Sequence, residues 1–148
     1  MEELKKIVSL VDNLTEDRLP IWGRMTHQHM IEHLISVLRI SCGELSIGCM
    51  IPQERWDLMK RVLMSDKPLP KDFVNPLIGA DLLDLEYDDL NSAIIILKEY
   101  FEKFLKYFEN NPDAVLLNPT FGELNFQQWI QFHKKHFTHH FKQFGLIE

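Results

Sequence analysis

The chain has 148 residues, enough for one domain that buries roughly 68–70% of its unfolded surface, and nothing in its size asks for a second. With 45% hydrophobic and 26% charged residues it is globular in composition, and its formal net charge of −6 argues against a nucleic-acid or anionic-membrane surface. No apolar run approaches the roughly 18 residues of a membrane span, MEELKKIVSL lacks a signal-peptide cleavage pattern, and Cys42 and Cys49 are too few and too far apart for a disulfide framework or a CxxC site, so a cytoplasmic protein with free thiols is expected.

Helical periodicity dominates from the start. Leu4, Ile7, Val8, Val11 and Leu14 recur at the spacing of one helix face, and Pro20 with the aromatic turn Ile21-Trp22-Gly23 makes the connection that follows. A second helix over residues 26–42 is apolar around most of its circumference (Met30, Ile31, Leu34, Ile35, Val37, Leu38, Ile40) and polar only where Glu32, Ser36 and Arg39 align, which makes it central rather than peripheral. A shorter helix over residues 54–64 leads into KPLPKDFVNPLIG, whose three prolines make a long irregular excursion and a candidate lid or rim. Leu90, Ile94, Leu97, Phe101, Phe104 and Phe108 mark a third long helix, ended by the turn signal NNPD. After NPTFGE the last helix begins with a capping box of Asn125 and Gln128 and a hydrophobic staple of Leu124 and Trp129. No strand pattern or repeat is expected. Four principal helices with a long Pro-containing crossover and one additional short helix make an all-α four-helix bundle, a single domain over residues 1–148.

The last helix carries four of the chain's seven histidines, in HKKHFTHHFKQFG. Projected at about 100° per residue, Phe126, Ile130, Phe137, Phe141 and Phe144 fall in one core-facing sector, and Gln127, Gln131, Lys134, Lys135, Thr138 and Lys142 form an opposite polar strip that is expected to be solvated. His133, His136 and His140 lie with Trp129 and Gln143 on a stripe flanking the core sector, while His139 turns towards Phe132. On the second helix His33 projects inward among Met30, Val37 and Ile40, His29 lies nearer the polar edge and His27 points elsewhere. His136 and His140, at i and i+4, can reach a single ion, and His33 from the facing helix completes three nitrogen ligands. Three neutral imidazoles suit zinc, nickel, iron or copper, and the remaining positions left to water fit a catalytic site better than a closed structural one. His-x-x-x-His also arises by chance on helices, so a bundle without metal is the plain alternative. His133 and His139 are expected at the rim or behind the ligands, and Glu32, Glu123 and Gln143 are candidates to accept a ligand's other N–H.

WGRMTHQHMIEHLI, followed far downstream by HFTHHFKQFG, resembles the DinB-like (YfiT-type) superfamily, in which a second-helix His pairs with a C-terminal His-x-x-x-His. FGELNFQQWIQFHKKHFTHHFKQFGLI is similar in particular to a bacterial branch whose members end the last helix in HHxxQFG. The resemblance implies a down-up-up-down four-helix bundle, a divalent metal, often zinc or nickel, on His33, His136 and His140, and a homodimer. It also implies a metal-dependent enzyme of hydrolase or thiol-dependent S-transferase type, acting on a small molecule or a low-molecular-weight thiol such as bacillithiol or mycothiol. Many members carry Arg-Gly-Gln after the final His; here Phe141-Lys142-Gln143 stands there, so no role resting on that Arg carries over. The other function class is a non-catalytic bundle in which the same histidines hold an ion that stabilises the fold or senses metal.

Overall fold

Glu2 and Glu3 in a first turn, where the helix dipole favours acids, and the row Leu4, Ile7 and Val8 produce helix α1, Glu2–Ser9. The computed structural model describes residues 1–71 and 82–148. The expected first helix is therefore shorter than its apolar row: after Ser9 the chain tightens into a 3-10 turn, Leu10–Asn13, that still buries Val11. Helix α2, His27–Ser41, starts where the Thr26 hydroxyl accepts the His29 N–H, and nine of its fifteen residues are buried, as a helix apolar on most sides demands. The short helix divides into a 3-10 turn, Gln53–Arg55, and α3, Trp56–Met64. Helix α4, Leu90–Asn110, is capped by Asp89 and buries every residue of the expected row from Leu90 to Phe108.

Helix α5, Phe126–Gln143, begins with the reciprocal capping box of Asn125 and Gln128. Its core sector is buried as expected, with Phe126 partly covered and packed on Phe104 and Phe108. Helix α2 runs along α4, while α1 and α3 both lie against α5, and α2 meets α5 as well. Those neighbours correct one expectation. The polar strip of α5 is not simply solvated, because α1 and α3 half-cover it: Lys134 pairs with Glu3, Lys135 Nζ donates to the Val62 carbonyl at 3.4 Å and Gln131 Nε2 to the Leu63 carbonyl at 3.4 Å.

A second correction concerns NPTFGE. Strands β1, Leu116–Asn118, and β2, Gly122–Leu124, form an antiparallel hairpin pairing Leu116 with Leu124 and Asn118 with Gly122. Three residues per strand are too few to print an alternation, so periodicity could not reveal it. The turn is closed by a side chain, Asn118 Oδ1 accepting the N–H groups of Thr120 at 2.9 Å and Phe121 at 3.0 Å. Among the described residues the protein is thus mainly helical with one small two-stranded sheet. The proposed lid or rim falls largely on residues 72–81, outside the described residues, and only its start at residues 67–71 lies within them. Among the described residues no helix is long and apolar enough to cross a membrane, and Cys42 and Cys49 are both free.

Gly122 has φ +81°, and a Cβ there would lie 2.4 Å from the Trp56 ring. Gly122→Ala is expected to lower stability by more than ~1 kcal/mol, read as a fall in the urea midpoint. An unchanged midpoint would show that the hairpin does not press on α3.

Candidate metal centre

Two of the stripe residues of α5 and one residue of α2 meet. His33 Nε2 lies 2.9 Å from His136 Nε2, and His140 Nε2 lies 3.1 Å from the same atom. The three rings stand edge to face with centroids 4.7–4.9 Å apart. His136 and His140 are buried, and His33 is partly exposed. Their nitrogens form a group that could hold a metal ion, and among the described residues no cysteine or carboxylate belongs to it. A single N–H on His136 can point at only one of its two neighbours, whereas one cation satisfies all three lone pairs.

Hydrogen bonding fixes which nitrogen of His140 is bare. Gln143 Nε2 donates to the Trp22 carbonyl at 2.9 Å, which turns Gln143 Oε1 towards His140 Nδ1, also at 2.9 Å. An amide oxygen only accepts, so the hydrogen sits on Nδ1 and the Nε2 lone pair faces the group. The turn that supplies the Trp22 carbonyl is shaped for this contact: Gly23 has φ +82°, and a Cβ there would be 2.7 Å from Gln143 Nε2. Of the three candidates for this orienting role, Gln143 takes it. Glu32 instead accepts from the backbone of Glu86 at 2.7 Å and Tyr87 at 3.1 Å, and Glu123 is exposed on β2.

The donor set could hold a metal ion. Two nitrogens each about 2.0–2.1 Å from one metal lie about 2.9 Å apart at a right angle and about 3.4 Å apart at a tetrahedral one. The separations of 2.9 and 3.1 Å fall in that window.

The other histidines are occupied elsewhere. His29 Nε2 donates to the Leu83 carbonyl at 3.0 Å, which leaves Nδ1 to accept from the Thr26 hydroxyl at 2.7 Å. His29 therefore ties the chain beyond Leu82 to the start of α2 and has no lone pair left for an ion. His139 is half-buried and edge-on to Trp22 at 5.9 Å. His133, expected at the rim or behind the ligands, is completely buried, with Nε2 2.9 Å from Ser41 Oγ. Ser41 and the Trp22 carbonyl are the contributors that sequence reading misses. A lone small polar residue inside the apolar run of α2, and a Trp-Gly turn just before it, are the signals that mark them.

Burial favours the neutral form of His33, His133, His136 and His140. Burial pushes His33 down to about 4, with nearby His139 adding to the effect, and His133 down to about 3. His136 and His140 are driven well below the ordinary histidine range by burial first, then by their histidine neighbours. No family model, curated protein or solved structure matches the chain.

Because the unfolded chain binds protons near the ordinary His value of roughly 6.5 and the folded chain refuses them, the stability of the metal-free protein should be full above about pH 6.5 and fall as pH drops towards about 4. Urea unfolding at about pH 7.5 and about pH 5 checks this, with the lower midpoint expected in acid. Equal midpoints would mean that these rings are open to water in solution.

Proposed function

We propose that the chain is a metal-dependent enzyme on a DinB-like four-helix bundle, binding one divalent ion, zinc or nickel, through His33, His136 and His140. The observation that carries the reading is the convergence of three Nε2 atoms, from two helices, in a setting that resists protonation. Helix α5 supplies two ligands one turn apart, α2 supplies the third, and the down-up-up-down arrangement implied by the resemblance is the framework that would place them face to face. A divalent ion held there would polarise a substrate oxygen or thiol and lower the pKa of a bound water towards neutrality. The chain's own residues prepare that chemistry. Gln143 holds His140 in its ligating tautomer, and burial holds the set neutral.

The absence of a fourth cysteine, histidine or carboxylate from the group, among the described residues, supports an open coordination position and so an enzyme. A small molecule or low-molecular-weight thiol is the substrate class we propose, with hydrolysis or S-transfer as the reaction, in a cytoplasmic homodimer. The second reading, an ion that only stabilises or senses, draws on the burial of His136 and His140 in the core, where any ion would also tie α2 to α5.

Purified protein is expected to carry about one divalent ion per chain by elemental analysis. His33→Ala, His136→Ala and His140→Ala should each lose most of it, and His29→Ala and His139→Ala should keep it. Metal-free wild type after loading and desalting, or equal loss from all five substitutions, would overturn the assignment.

A further inference from the structure

One turn before His136 on α5, His133 is fully buried, stacked on Trp129 with centroids 5.5 Å apart and met edge-on by Phe104 at 4.7 Å. Its Nε2 lies 2.9 Å from Ser41 Oγ, and that hydroxyl donates its only hydrogen to the Leu38 carbonyl at 3.0 Å. The hydroxyl can then only accept from the ring, so His133 Nε2 carries the hydrogen and Nδ1 is a bare acceptor. Among the described residues this Nδ1 meets no donor, and the buried Nδ1 of His136 meets no partner either. His136 turns Nε2 to His33 and His140, so its hydrogen belongs on Nδ1 whenever Nε2 is a ligand. Two buried atoms without partners, one a donor and one an acceptor, therefore sit on successive turns of one helix, both rings flanking Phe132. Trp129 Nε1, on the ring stacked against His133, is a third buried atom without a partner and the second donor among the three. Buried polar groups rarely stay unpaired, and an internal water typically makes about three hydrogen bonds.

We propose that one buried water joins these groups, accepting from His136 Nδ1–H and Trp129 Nε1–H and donating to His133 Nδ1, so that Ser41 and His133 are positioning residues for the ligand His136. The chain of bonds then runs from the metal group through the water, His133 and Ser41 to the backbone of α2 at Leu38. It rests on the metal-binding reading above, and it explains why an imidazole stands deep in an aromatic cluster where phenylalanine would pack as well.

Long-range proton–nitrogen NMR of the histidine rings, in metal-free and zinc-loaded protein, reads the tautomers. The expected result is Nε2–H for His133 in both states and Nδ1–H for His136 in the zinc-loaded state. Competition titration with zinc reads the consequence. His133→Phe, which keeps an aromatic ring but removes both nitrogens, should bind zinc roughly 10–100-fold more weakly. His133→Asn, which returns an oxygen near the place of Nδ1, should recover part of that loss. Ser41→Ala should weaken zinc binding and mix the His133 tautomers, and it carries the test should His133→Phe fail to fold. An Nδ1–H tautomer of His133 in wild type, or zinc binding as tight as wild type in folded His133→Phe or Ser41→Ala, overturns the proposal alone. A folded wild type that takes up no zinc overturns the metal reading and the positioning role with it.

Discussion

The constraint on which this structure turns is the placing of neutral imidazoles inside a helical core. An imidazole is half donor and half acceptor, so each buried ring must deliver one hydrogen and shelter one lone pair. His140 delivers to Gln143 and His133 to Ser41, and those two bonds settle which nitrogens are left bare. Much of the surrounding chain is arranged to receive these hydrogens. The Trp22-Gly23 turn comes down on Gln143 closely enough that only glycine fits, and the Ile21 N–H donates to the Gln143 carbonyl at 2.7 Å, so the connection between α1 and α2 is laced to the end of α5.

Helix α2 divides its labour by face. Gln28, His29 and Glu32 turn to the segment that returns from residue 82, binding the backbone of Leu83, Glu86 and Tyr87. His33, one residue on from Glu32, turns the other way, towards α5. Two histidines four residues apart on the same helix thus do different jobs, one fastening a loop and the other facing its neighbours on α5. The difference comes from the partners within reach, since His29 has a hydroxyl and a carbonyl beside it and His33 has imidazoles.

Much of this was legible in the residues. The stripe of α5 could be read because its period is unbroken for eighteen residues, and the structure buries Trp129, His133, His136, His140 and Gln143 together. The choice of His33 over His29 followed from which apolar residues flank each on α2. Three things were hidden. The hairpin at Leu116–Leu124 is shorter than the pattern that would announce it. The cover that α1 and α3 lay over Lys134 and Lys135 depends on how helices are arranged in space, which a projection of one helix cannot contain. The depth of His133 depends on Ser41, 92 residues away, and no local spacing links the two.

Separation along the chain also governs when the histidine group can exist. His33 and His136 are 103 residues apart, and closing a loop of that length costs entropy that the intervening helices must offset before the rings meet. Translation makes α2 long before α5, so a growing chain holds His33 with no partner until its last helix has emerged. His136 and His140 come together as soon as α5 forms, and alone they would offer an ion only two nitrogens. The third nitrogen arrives only when α2 and α5 have docked. Full affinity for an ion would then mark the end of folding, and retention of that ion would register native docking where helix content could not.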